Sequence, residues 1–199
     1  MAYHGYVQIC KQYIDSLQHV PAILEVGTDK GITFIPLAAH LANTKTQFTM
    51  MGIDVMVQDS LSITLNGLGL KKDQQIFLIE GNSLEVIPKL VDQSIKFDLV
   101  LIDGDHNYHT VNKELESLES ITHPHSLVII DDYDGRWSST DMWYAKRPGY
   151  KDNKIATKPI KGKKHGVKAA VDEFLKAKPE WKSYKPIPGE PIVLVKSAA

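Results

Sequence analysis

Asp103, Asp105 and His106 close the run Phe97-Asp-Leu-Val-Leu-Ile-Asp-Gly-Asp-His106, and Asp131-Asp132 close the run Ser126-Leu-Val-Ile-Ile130. Carboxylates gathered at one place repel one another unless a proton or a cation relieves them. A hard divalent ion with oxygen ligands, Mg²⁺ most readily, suits Asp103, Asp131 and Asp132 and leaves positions open for a substrate. His106 stands three residues past Asp103, and a neutral imidazole near pH 7 is the usual general base for a hydroxyl. Plainer readings stand beside these. Asp131 and Asp132 could cap a turn, and His106 could start a helix, bonding only Asp105 or the backbone. The chain has 8 histidines, among them His109, His123 and His125, so one alone carries little weight. Asp105 either caps the next helix or steers His106.

A second constellation is Glu25-Val-Gly-Thr-Asp-Lys-Gly31. Gly27 would let backbone approach a ligand, Gly31 would let a helix start tightly against a sheet, and Thr28 or Asp29 could cap that helix. A dinucleotide fingerprint wants Gly-x-Gly-x-x-Gly. The spacing here is Glu-x-Gly-x-x-x-Gly, which points to a smaller nucleoside ligand. Asp54 is placed to accept from a ribose diol, and Asn82-Ser83 can bond an adenine edge. Ser83 also reads as an ordinary cap.

These residues need strands that end together. Ala22–Val26, Phe48–Ile53, Ile76–Ile79, Phe97–Ile102 and Ser126–Ile130 are short apolar runs, each too short for a buried helix. Helical stripes lie between them: an amphipathic first helix over 3–19, Ile32 to Leu41 with Pro36 delaying or bending it, Leu61 to Leu68, Leu84 to Leu90, and Val111 to Leu118. A last helix carries Val167 to Leu175. Strands near Trp181–Pro186 and Ile192–Lys196 follow, joined at Pro188-Gly189. The pattern predicts an α/β, Rossmann-like, doubly wound seven-stranded sheet, mostly parallel with an antiparallel C-terminal strand. The 199 residues read as one domain. Ligands in such sheets sit beyond the carboxyl ends of the strands.

No apolar run approaches the roughly 18 residues of a membrane span, and residues 1–11 lack a signal-peptide layout. The single Cys10 reads as a small buried hydrophobe. A cytoplasmic protein is expected, without membrane contact. The net charge of −1 hides an asymmetry: residues 1–145 carry 9 basic and 19 acidic side chains, residues 146–164 carry 8 and 1. The segment 133–164, polar and rich in aromatics and Lys, reads either as a substrate lid or as a solvated loop. As a lid it offers Tyr133, Arg136 and Trp137, with aromatic faces for a sugar or ring and cations for an anionic acceptor.

Taken together, Glu25–Gly31, Asp54, Asn82-Ser83 and the strand order resemble a class I S-adenosylmethionine-dependent methyltransferase. Ile102–His106, Val128–Tyr133 and His165–Phe174 more narrowly resemble the metal-dependent macrocin-type sugar O-methyltransferases, cousins of the catechol and caffeoyl-CoA enzymes. The resemblance covers nearly the whole chain except 134–164. It implies S-adenosylmethionine bound by Glu25, Gly27, Thr28, Gly31, Asp54, Asn82, Ser83 and Asp103. It also implies a divalent metal, Mg²⁺ by expectation, on Asp103, Asp131 and Asp132, with His106 beside Asp103 as the base. The acceptor would be a small-molecule hydroxyl, on a sugar, polyol or natural product. Two other readings are a non-catalytic S-adenosylmethionine-binding module and a nucleic-acid methyltransferase. The first has no need of three converging carboxylates. The second lacks both the Asn/Asp-Pro-Pro-Tyr signature and a broad basic face. The amphipathic first helix could serve either the core or a homodimer contact.

Overall fold

The computed structural model describes residues 3–184 and 191–197. In chain order the elements are α1 (Tyr3–Ser16), β1 (Ala22–Val26), α2 (Phe34–Thr44), β2 (Phe48–Asp54), α3 (Asp59–Asn66), β3 (Gln74–Glu80) and α4 (Ser83–Asp92). They continue with β4 (Phe97–Ile102), α5 (Tyr108–Ile121), β5 (Thr122–Ile130), α6 (Gly166–Ala177), β6 (Trp181–Tyr184) and β7 (Ile192–Lys196). Two short 3-10 turns, Tyr144–Lys146 and Pro148–Tyr150, lie between β5 and α6. The seven strands form one sheet in the order β3-β2-β1-β4-β5-β7-β6. β1 to β5 pair in parallel, and β7 runs antiparallel between β5 and β6. This is the expected doubly wound fold with its antiparallel C-terminal strand. The Pro188-Gly189 turn lies outside the described residues.

β4 is central because every one of its six residues is buried. Val100 and Ile102 pack towards α4, α5 and α6, while Leu99 and Leu101 pack towards α1, α2 and α3. Each such side chain contributes roughly 1.5–3 kcal/mol by leaving water. The charged residues that bound β4, Asp98 and Asp103, therefore stand at opposite ends of a rigid rod.

Several boundaries differ from expectation for local reasons. α1 stops at Ser16 rather than 19, where Ser16 Oγ donates to Tyr13 O. Its face of Tyr6, Val7, Cys10 and Ile14 is spent on the core beside α2. α2 begins at Phe34, because Pro36 then occupies the first turn, where an absent N–H breaks no helical bond. The cap position accordingly falls on Thr33 rather than on Thr28 or Asp29. β5 begins at Thr122, four residues earlier than its apolar run. Its register against β4 jumps there: Phe97 pairs with Thr122 but Leu99 pairs with Leu127. Residues 123–126 are thus an insertion facing Asp98 alone. Among the described residues no helix is long and apolar enough to cross a membrane.

Candidate active site

The turn leaving β1 is built on two left-handed glycines, Gly27 (φ +88°) and Gly31 (φ +78°). At Gly27 the close approach is to the chain itself. A Cβ there would sit 2.1 Å from the carbonyl oxygen of Asp103, so only glycine lets the ends of β1 and β4 meet. A Cβ at Gly31 would strike Leu61 of α3. Glu25 is buried, and burial foremost, then the charge of Asp54, holds its carboxyl well above the usual range. Glu25 Oε2 and Thr28 Oγ1 are buried and have no hydrogen-bond partner among the described residues.

Asp54 ends β2 and turns back onto the same loop. Its Oδ2 accepts from Asp29 N (2.8 Å) and its Oδ1 from Met56 N (3.0 Å). Burial raises its pKa, and those backbone bonds partly oppose the rise. Asn82 caps α4 by accepting from Leu84 N at 3.0 Å. Its amide donates to Ile155 O (3.0 Å) and Thr157 Oγ1 (3.1 Å), which ties β3 to the long segment after β5. Ser83 is committed elsewhere: its hydroxyl donates to Glu114 Oε1 at 2.6 Å.

At the ends of β4 and β5 the carboxyl groups of Asp103 and Asp131 are brought close together. Burial, then Asp131 and Glu25, push Asp103 well above its ordinary pKa. Ligand atoms of Asp103, His106 and Asp131 lie within 4.8 Å of one another. Asp132 stands outside this group and differs from the expected ligand set. Consecutive residues at a strand end point to opposite sides, and Asp132 takes a left-handed conformation (φ +57°). Its carboxylate lies 3.4 Å from His106 Nδ1; burial foremost raises its pKa, and the backbone of Trp137 and Arg136 opposes part of that rise. His106 Nε2 lies 3.5 Å from Asp103 Oδ1. Burial foremost, then Arg147, lowers the His106 pKa to about 4.

Asp105 neither caps a helix nor touches His106. The cap of α5 is Asn107, whose side chain accepts from Thr110 N at 2.8 Å. Asp105 Oδ1 instead accepts from Tyr144 N at 2.7 Å. Burial raises its pKa to about 6, against the pull of that bond. It is one of several tethers that lay segment 133–164 over the strand ends. Met142 N donates to His106 O (2.9 Å), and Asn153 Nδ2 donates to Val55 O (2.8 Å). Met142, Trp143 and Ala156 are buried beneath the segment.

Two of the cavities it covers border the strand ends. One, about 30 Å³, lies among Asp54, Asn82, Asp105 and Thr157. The other, about 180 Å³, lies among Glu25, Thr28, Asp103, His106, Asp132 and Trp137. Gly27 and Tyr144 line both. Of the three acceptor candidates, Trp137 reaches the larger cavity. Arg136 is exposed, its guanidinium 4.8 Å from the Trp137 ring. Tyr133 is turned away and packs in the core, its hydroxyl donating to Asp172 at 2.6 Å, because the chain leaving β5 runs back across α6. Tyr144, expected only as one of the segment's aromatic faces, and Arg147, which nothing in the sequence singled out, both stand on the wall of the larger cavity. Their type was visible in the segment; their position was not.

A methyltransferase-domain family matches residues 24–133. No protein of curated function matches the chain in sequence. Among solved structures, CalS11, a TDP-rhamnose 3'-O-methyltransferase of calicheamicin biosynthesis, superposes with a TM-score of 0.64 at 17% identity, over 98% of this chain and 80% of its own. An O-methyltransferase from Bacillus cereus in complex with SAH gives 0.55 at 16% identity, over 96% and 79%. MycE, a methyltransferase of the mycinamycin pathway in complex with Mg, SAH and mycinamycin VI, gives 0.57 at 14% identity, over 96% and 48%. At such identities the likeness is one of fold.

Proposed function

We propose, for a chain that belongs to the methyltransferase-domain family, that it moves a methyl group from S-adenosylmethionine to a hydroxyl of a small molecule with the help of a divalent metal. The observation that carries this reading is the 180 Å³ cavity. Glu25 and Thr28, whose buried Oε2 and Oγ1 have no partner among the described residues, line it together with Asp103 and His106. O-methyltransferases with SAH or Mg bound share the fold, which supports the reading.

The residues present fit both groups. Buried polar atoms without partners would meet the polar end of S-adenosylmethionine, and Asp54 would meet its ribose through lone pairs the backbone leaves free. Two clustered carboxyl groups, Asp103 and Asp131, are the donor set a hard cation would relieve. When bound, the ion supplies positive charge at the acceptor oxygen, and S-adenosylmethionine supplies the methyl group.

The remaining work falls to the chain. His106 takes the hydroxyl proton at Nε2, while Asp132 faces Nδ1 and fixes which nitrogen is free. Burial keeps the ring neutral at physiological pH, so the base is ready. Trp137 and Tyr144 offer faces for a sugar or ring, and Arg147 offers a cation for a phosphate or carboxylate on the acceptor. Segment 141–157 excludes water and must move. The 30 Å³ left beside Asp54 is far below the roughly 300–1,000 Å³ of ligand pockets, so the nucleoside enters only as that segment lifts.

A turnover assay with labelled S-adenosylmethionine over a panel of sugars, nucleotide sugars and polyols, with and without Mg²⁺, tests the reading. Methylated product that requires the metal is expected. Cofactor binding with no turnover on any hydroxyl compound would leave a binding module.

A further inference from the structure

The far end of β4 carries a second convergence of ligand atoms. Asp98 is buried there, 2% exposed. Its Oδ2 accepts from Ala22 N at 2.8 Å, which anchors the start of β1. Its Oδ1 faces two imidazoles at once, His19 Nε2 at 2.5 Å and His123 Nε2 at 2.8 Å. The three come from separate places: His19 from the α1–β1 connection, Asp98 from β4, and His123 from the four-residue insertion in β5 that opposes Asp98.

Hydrogen bonds on every side fix the arrangement. His123 Nδ1 lies 2.8 Å from Pro124 O, and a carbonyl only accepts, so Nδ1 holds the hydrogen. In the neutral ring Nε2 is then a lone pair aimed at a carboxylate oxygen, a repulsion that either a proton on Nε2 or a metal ion shared with Asp98 relieves. Tethering one ring nitrogen to a carbonyl so that the other is free is the arrangement seen in metal-binding histidines. Ser126 pins the insertion, its hydroxyl accepting from His123 N (3.0 Å) and donating to Phe97 O (2.8 Å). The Tyr13 hydroxyl braces the same corner against Asp98 O (3.1 Å) and His125 O (2.9 Å).

The geometry points to a metal site of two histidines and one aspartate, built from His19, Asp98 and His123, for a borderline divalent cation such as Zn²⁺. Imidazole nitrogens disfavour Mg²⁺ and Ca²⁺ and suit Zn²⁺ and its neighbours. Tetrahedral zinc ligands stand roughly 3.3 Å apart, so closing on an ion asks for shifts below an ångström. Three protein ligands leave one position for water, on the side where His19 is 57% exposed. The site lies about 17 Å along β4 from Asp103 and is independent of methyl transfer. Its effect would be to lock the α1–β1 connection and the β5 insertion onto the sheet.

Titration of the whole protein with Co²⁺, read by visible absorption, and with Zn²⁺, read by calorimetry, tests this. One ion is expected at this site in wild type and in Asp131→Asn alike, in addition to any ion that the Asp103–Asp131 cluster takes up in wild type. The ion at this site should bind His19→Gln and His123→Gln at least 10–100-fold more weakly, while methyl transfer by His19→Gln is unchanged. His19 is exposed, so that variant folds even where His123→Gln does not. No uptake by wild type would overturn the site. So would uptake lost in Asp131→Asn, or kept at full stoichiometry and affinity in His19→Gln.

Discussion

His106 Nδ1 lies 3.4 Å from Asp132 Oδ2, and its Nε2 lies 3.5 Å from Asp103 Oδ1, so the imidazole is held between two carboxylates. Asp103 stands beside Asp131, and Asp132 lies outside that cluster. In the proposed reaction this separates the metal from the base. His106→Ala should retain S-adenosylmethionine and metal yet lose about 10²–10⁴ in rate. Asp132→Asn should lose less and should not lower metal affinity. Calorimetric metal titration of the Asp132 variant decides whether that residue is a partner of His106 or a ligand.

The same burial sets a pH expectation. The folded-state pKa of His106, about 4, lies below the ordinary 6.5, so the ring is neutral through physiological pH and gains a proton only in acid. The rate should hold level from pH 6 to 8 as far as this group is concerned, and fall as pH drops towards 4. A wild-type inflection near 6.5 that His106→Ala abolishes would place the base in a wetter setting.

Chelation with EDTA should abolish turnover and leave calorimetric affinity for S-adenosylmethionine nearly intact. Asp131→Ala should behave as chelation does, because its carboxylate belongs to the cluster with Asp103. Full activity in EDTA would leave an ordinary metal-free methyltransferase.

Asp54→Ala should weaken S-adenosylmethionine binding by on the order of 1.5–3 kcal/mol, the size of hydrogen bonds to a charged group. Since Asp54 also holds Asp29 N and Met56 N, a modest fall in melting temperature should accompany it. Affinity for NAD equal to that for S-adenosylmethionine would sink the assignment.

Lifting of segment 141–157 should be measurable. Asn153→Ala removes the bond to Val55 O, and at roughly 1 kcal/mol it should speed cofactor association about fivefold. Stopped-flow quenching of tryptophan fluorescence would report the rate, and an unchanged rate would mean the segment is not the gate.

Glu114 gives a stability test remote from the site. It is fully buried with Ser83 Oγ on Oε1, and burial raises its pKa from 4.5 to about 8. The core accepts the uncharged form. Its stabilising contribution is therefore complete below about 4.5 and is lost as pH rises through 8, by up to about 4 kcal/mol. Glu114→Gln should flatten the decline of urea stability between pH 6 and 9. An unaltered slope would mean that Glu114 is charged in the fold.

Strand ends were legible because apolar runs stop where charge begins: Val26 before Gly27, Ile102 before Asp103, Ile130 before Asp131. Pro36 announced the late start of α2 through the bond it cannot make. What strand periodicity cannot carry is the path after the last apolar residue. Asp131 and Asp132 are neighbours in sequence, yet a left-handed backbone at Asp132 sends them to different partners. Tyr133 read as a substrate face and packs on α6. Asn82 and Ser83 read as a nucleobase site, and their side chains are taken by Ile155, Thr157 and Glu114. Tyr144 and Arg147 sit in a segment without periodicity, and long-range hydrogen bonds to Asp105, His106 and Val55 decide its placement.

The contact at Gly27 ties two lineages of residues into one. Because no side chain fits between position 27 and the Asp103 carbonyl, a substitution in the turn after β1 is felt at the carboxylate that ends β4. Sequences descended from this chain are free to drift at the exposed positions of segment 133–164, where new acceptors could be tried without disturbing the sheet. They are not free to refine the turn and the carboxylate cluster separately; those two are inherited as a single unit or lost as one.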